Sequence, residues 1–72
     1  MRKRKAKSIE EKVFFVACII EKYKIKYNLS GQTVAEMFNK NGITDWLYGN
    51  YETLHTESEE NVLADIRELF GA

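Results

Sequence analysis

From Ser8 to Tyr27 the chain reads Ser-Ile-Glu-Glu-Lys-Val-Phe-Phe-Val-Ala-Cys-Ile-Ile-Glu-Lys-Tyr-Lys-Ile-Lys-Tyr, and the reading of this stretch decides the fold. Ser8 followed by Glu11 forms a capping box: the serine oxygen accepts from the amide three residues on, and Glu11 reaches back to the serine amide. Ile9, Val13, Val16, Ile20, Tyr23 and Tyr27 then recur at alternating intervals of four and three. At about 100° per residue these positions fall within about 80° of one another, the narrow seam of an amphipathic helix. Val13 to Ile20 taken alone resembles a strand, but the helical seam continues on both sides of it. The run is also far shorter than the roughly 20 residues of a bilayer span. The spacing predicts a helix over 9–27.

Working outward, residues 1–7 read as a mobile basic tail, with Arg2, Lys3, Arg4, Lys5 and Lys7 in close succession. Toward the C-terminus, Leu29 and Val34 flank Ser30 as a hydrophobic staple flanks an N-cap, and Asn41-Gly42 supplies a left-handed stop. This predicts a second helix over 31–40 with Val34, Met37 and Phe38 inward. Thr44 is the expected cap of a third helix over 45–54, in which Leu47, Tyr51 and Leu54 share a face. Gly49 weakens that helix by about 1 kcal/mol relative to alanine and marks a point where it can break. Thr56 and Glu59 form another capping box, predicting a fourth helix over 57–70 with Val62, Leu63, Ile66, Leu69 and Phe70 as its stripe. Short connections favour neighbouring helices that pack together. The expected architecture is all-α: a compact bundle of about four helices spanning residues 8–72 as a single domain, preceded by the basic tail.

Composition agrees with this. At 72 residues there is room for one small domain, and 44% apolar with 31% charged residues excludes both disorder and a membrane-embedded chain. One cysteine excludes an internal disulfide and a cysteine-cluster zinc site. The lone thiol and the lack of a secretory signal pattern lead us to expect a cytoplasmic protein. Formal charge is zero, but residues 1–40 hold ten Lys or Arg against four Glu, and residues 41–72 hold one Arg against seven Asp or Glu. Such a molecule offers unlike charge to unlike partners, a second copy of itself included.

The first helix has more apolar surface than one seam needs. Phe14, Cys18 and Ile25 lie within about 40° of one another on the side away from the seam, and Phe15 and Ile19 widen the apolar surface. Either the other helices wrap this second stripe or it is a contact surface for a protein partner or a homo-oligomer. In the third helix Trp46, Tyr48 and Tyr51 sit among acidic residues, and such aromatics are frequent interface anchors. Tyr48 is the candidate expected to be most exposed, and Trp46 is expected partly in the core. With His55, these give the candidate protein interface: Phe14, Cys18, Ile25, Trp46, Tyr48, Tyr51 and His55.

Other chemistries find less support. The basic residues Arg2, Lys3, Arg4, Lys5 and Lys7 suit weak, salt-sensitive contact with nucleic-acid phosphates. A helix-turn-helix over 31–54 fails at its second helix, which carries two acids and no base where a recognition helix must approach phosphates. A Cys18–His55 dyad would need both residues in one cleft, together with an orienting acid. We expect no enzyme, no cofactor, no metal and no small-molecule substrate.

The motifs Glu21-Lys22-Tyr23-Lys24, Asn28-Leu29-Ser30-Gly31, Glu36-Met37-Phe38, Asn41-Gly42-Ile43 and Tyr51-Glu52-Thr53-Leu54-His55-Thr56, with Glu59-Glu60 and Asp65-Ile66, resemble a family of short bacterial proteins known mainly as a domain of unknown function. The likeness covers roughly residues 9–70, and its most specific parts are the Leu-Ser-Gly cap and the Leu-His-Thr corner. Family members tend to be encoded beside small proteins resembling ADP-ribosyltransferases, so the resemblance implies an antitoxin-like or accessory role. It assigns no catalytic residue. Tyr51, Leu54, His55 and Thr56 become a structural corner or a binding edge. The expected function is a bacterial protein-interaction module; the alternative is a nucleic-acid-binding regulator using the basic tail.

Overall fold

The computed structural model describes the backbone of residues 2–71 and the side chains of residues 9–71. Its helices are α1 (Arg2–Tyr27), α2 (Gly31–Lys40), α3 (Ile43–Gly49), α4 (Tyr51–Leu54) and α5 (Glu59–Phe70). The bundle is all-α as expected, with the expected third helix divided in two at Asn50.

Local hydrogen bonds explain each boundary. The backbone of α1 begins at Arg2 rather than Ser8, so the stretch read as a mobile tail continues the helix. Arg, Lys and Ala are strong helix formers and neither Gly nor Pro interrupts them, so the Ser8–Glu11 pair has no helix end to cap. The side chains of Arg2, Lys3, Arg4, Lys5 and Lys7, the candidate nucleic-acid contacts, lie outside the described residues. The far end of α1 closes as a Schellman motif, with Asn28 at φ 56°. The Leu29 N–H donates to the Lys24 carbonyl at 3.0 Å and the Asn28 N–H to Ile25 at 3.3 Å. Ser30 caps α2 as expected, its Oγ accepting from the Thr33 N–H at 3.1 Å.

Gly42, at φ 76°, ends α2 and begins α3 in one step. Its N–H donates to Asn39 at 3.3 Å, and its carbonyl accepts from the Trp46 N–H at 3.1 Å. Thr44, expected as the cap, therefore lies in the first turn of α3. Asn50 then interrupts the helix, donating from both its backbone N–H and its Nδ2 to the Trp46 carbonyl, at 3.0 and 2.9 Å. The cap expected at Thr56 falls instead on Ser58, whose Oγ accepts from the Asn61 N–H at 3.2 Å. The Thr56 hydroxyl is engaged elsewhere, donating to the Thr53 carbonyl at 2.8 Å.

Every helix contributes to one core. Val16, Ile19 and Tyr23 of α1 meet Val34 and Phe38 of α2, Ile43 and Leu47 of α3, Leu54 of α4, and Val62, Leu63 and Ile66 of α5. Phe38 is fully buried and meets the Tyr23 ring edge-on at 5.2 Å between centroids. Full burial of one such side chain contributes about 1.5–3 kcal/mol.

The α1 seam differs from the expected one. Ile20 and Tyr27 are only half-buried, Ile9 and Val13 are exposed, and Ile19 is fully buried in their place. Length accounts for the exposed pair. At 1.5 Å per residue the 26 residues of α1 run about 39 Å, matching the 40 Å long axis, while the other two dimensions are 22 and 19 Å. The shorter helices cannot cover the whole of α1, and its N-terminal part overhangs them. Lys22–Glu59 at 3.5 Å and Lys26–Glu60 at 3.9 Å join α1 to the start of α5. Exposed pairs of this kind contribute about 0–1 kcal/mol each.

Candidate functional site

Where α1 passes the α4–α5 corner, a groove of about 460 Å³ opens between them. Phe14, Phe15 and Cys18 reach it from α1, since residues three and four apart share a helix face. Tyr51 of α4 forms its back wall, meeting the Phe15 ring edge-on at 5.4 Å between centroids. His55 lies flat on Tyr51, at 4.6 Å and 14° between planes. Its Nδ1 is 2.9 Å from the Tyr51 carbonyl oxygen. A carbonyl only accepts, so Nδ1–H is the donor, and in the neutral ring Nε2 is the acceptor.

The remaining lining groups are carboxylates. Glu10 and Glu11 stand one turn before Phe14 and Phe15, and Glu59 enters from the first turn of α5. No Lys or Arg is among the described residues that line the groove. Burial pushes the Tyr51 hydroxyl above its ordinary pKa, and the negative charges of Glu11 and Glu52 push it further. Tyr23 is raised too, first by burial and then by Tyr27, with Arg67 acting in the opposite direction.

Of the candidate interface residues, Phe14, Cys18, Tyr51 and His55 meet here. Phe14 is 71% exposed and Ile25 67% exposed, so the other helices leave the ends of the second α1 stripe uncovered. Ile25 lies farther along α1 and does not line the groove. Trp46 is half-buried as expected, edge-on to Phe70 at 5.6 Å between centroids. Tyr48, expected to be the most exposed aromatic of its helix, is half-buried against the core, because α3 packs a wider face than its Leu47 stripe indicates. Sequence reasoning did not single out Glu10, Glu11 or Glu59 as site residues. The available signal was the Glu-Glu pair spaced four residues before Phe14-Phe15.

The Leu54-His55-Thr56 corner is built from short-range bonds. Leu54 is buried, the His55 N–H donates to the Tyr51 carbonyl at 2.9 Å, and the Glu57 N–H donates to Leu54 at 3.0 Å. These bonds fix the angle at which α5 departs, and they place His55 at the lip of the groove. Cys18 is a half-buried free thiol. It shares the groove with His55, but among the described residues no hydrogen bond joins them. No group of three or more His, Cys, Asp or Glu among the described residues is arranged to hold a metal ion. No helix among the described residues is long and apolar enough to cross a membrane.

A family model described as "Protein of unknown function (DUF3791)" matches residues 14–71. No curated protein and no solved structure matches the chain.

Proposed function

The chain belongs to the family of that model, and from this premise we propose that it is a bacterial, cytoplasmic protein-interaction module. Its role is antitoxin-like or accessory to an ADP-ribosyltransferase-like neighbour, as the sequence resemblance implies. The observation that carries the reading is Phe14, a large aromatic left 71% exposed at the edge of a groove walled by Phe15 and Tyr51. In a domain this small, an uncovered aromatic beside an aromatic recess is the arrangement of an interface anchor. Ile25, on the same side of α1, extends the surface.

Affinity capture of the tagged chain from lysate of its source organism, with and without nuclease, tests this. A stoichiometric protein that stays bound after nuclease, and is lost on Phe14→Asp with helical content unchanged, is the expected result. Capture that survives Phe14→Asp removes this surface from the account. A second reading is favoured by the α1 backbone, which carries the basic residues between Arg2 and Lys7 in helical form. On that reading the captured material is nucleic acid, disappears with nuclease or high salt, and depends on residues 1–7.

A further inference from the structure

We propose that the groove between α1 and the α4–α5 corner receives a cationic segment of a partner protein, with an arginine or lysine of that segment lying over the aromatic wall. This rests on the interaction-module reading and names the chemistry of the partner. Three carboxylates, Glu10, Glu11 and Glu59, surround an apolar recess, and no Lys or Arg among the described residues lines it. Lys22 bridges Glu59 at 3.5 Å, so Glu10 and Glu11 are the chief acidic groups of the rim. The same two residues precede Phe14 and Phe15 by one helical turn, so a single partner residue can place an aliphatic stem on the rings and a charged head among the carboxylates. Lysine and arginine have this division between stem and head.

The wall also suits a cation in shape. His55 and Tyr51 are stacked at 4.6 Å, so a guanidinium can extend the stack over the outer imidazole face, as planar arginine does on aromatic rings. The Tyr51 hydroxyl is raised first by burial and then by the negative charges of Glu11 and Glu52, in keeping with the acidic rim. A nucleic acid meets like charge here and is repelled.

Two labelled helical peptides test the proposal against the full chain by fluorescence anisotropy. One carries arginines on one face and leucines on the other; its counterpart carries glutamates in place of the arginines. The arginine peptide is expected to bind about tenfold or more tightly than the glutamate peptide at low salt, with the preference collapsing as salt screens the charges. The double variant Glu10→Gln/Glu11→Gln keeps its helical circular dichroism and loses the preference. Equal binding of the two peptides, or an undiminished preference in the double variant, overturns the proposal. So does salt-sensitive self-association of the chain, seen by sedimentation and abolished by removing residues 1–7, because the groove then belongs to a second copy. If Phe14→Asp abolishes capture from lysate while the glutamine variant does not, the interaction module stands and the cationic partner falls.

Discussion

The two halves of α1 both carry large apolar residues, and those residues have different fates. From Val16 to Tyr27 the helix is clasped by α2, α3 and α5, and Val16, Ile19 and Tyr23 are buried. Before Val16 the apolar residues are sparser but still recur at helical spacing, yet Ile9, Val13 and Phe14 are exposed and only Phe15 is half-covered. Apolar spacing thus specifies which way a helix faces and leaves open whether anything faces it. Cover is a property of the other helices, and none of α2 to α5, at 10, 7, 4 and 12 residues, is long enough to run beside all 26 residues of α1.

The comparison is broken most severely at the covered end. Phe38→Ala removes the fully buried ring against Tyr23, and such truncations cost about 3–5 kcal/mol. A domain of this size holds about that much net stability, so the variant is expected to be largely unfolded at room temperature by circular dichroism and urea titration. Gly42→Ala tests the hinge between α2 and α3. Nothing stands within 4 Å of the added methyl group, but φ is +76°, so the cost is the backbone strain of about 1–2 kcal/mol for a left-handed L-residue. A lower urea midpoint with an unchanged slope is the expected signature. At the uncovered end, Phe14→Ser is expected to shift stability by no more than about 0.5 kcal/mol, as for most surface substitutions. A loss comparable to that of Phe38→Ala would mean that Phe14 is core and that the two halves do not differ.

The features legible in the sequence are those closed within a few residues. Ser30, Asn41-Gly42 and the Val34/Phe38 face follow from local rules, and the structure places them where those rules put them. The helix-start errors share one cause, competition between equally good local candidates. Thr56 was a fair cap until its hydroxyl turned back to Thr53, which left the role to Ser58. Thr44 lost its role to Gly42, which needs no side chain to start a helix directly from a left-handed turn. The groove was not legible, because it is made where α1 meets a corner some 40 residues farther along the chain, between Phe15 and Tyr51 or Cys18 and His55. The residues expected to share an interface were sorted by their own helices' directions. Those directions point to Phe14, Cys18, Tyr51 and His55 and equally to Ile25, Trp46 and Tyr48, and only the packing of α1 on the α4–α5 corner separates the two sets.

The joint between α1 and α5 also governs how the molecule moves. The connections from α1 to α2 and from α2 to α3 are very short, and the chain has no proline, so these pieces assemble without isomerisation delays, on the fast timescale of helical domains. Docking α5 instead closes the longest loop in the fold, which carries the larger entropic cost. Its hold on α1 rests on Val62, Leu63 and Ile66, with two exposed ion pairs and a hydrogen bond that the Arg67 guanidinium donates to the Tyr27 hydroxyl at 3.3 Å. Transient release of α5 would carry away Glu59 and loosen the corner beneath His55, dismantling one wall of the groove while α1 to α3 stay together. Amide hydrogens of α5 should then exchange ahead of those in α2, and anything seated in the groove should slow them.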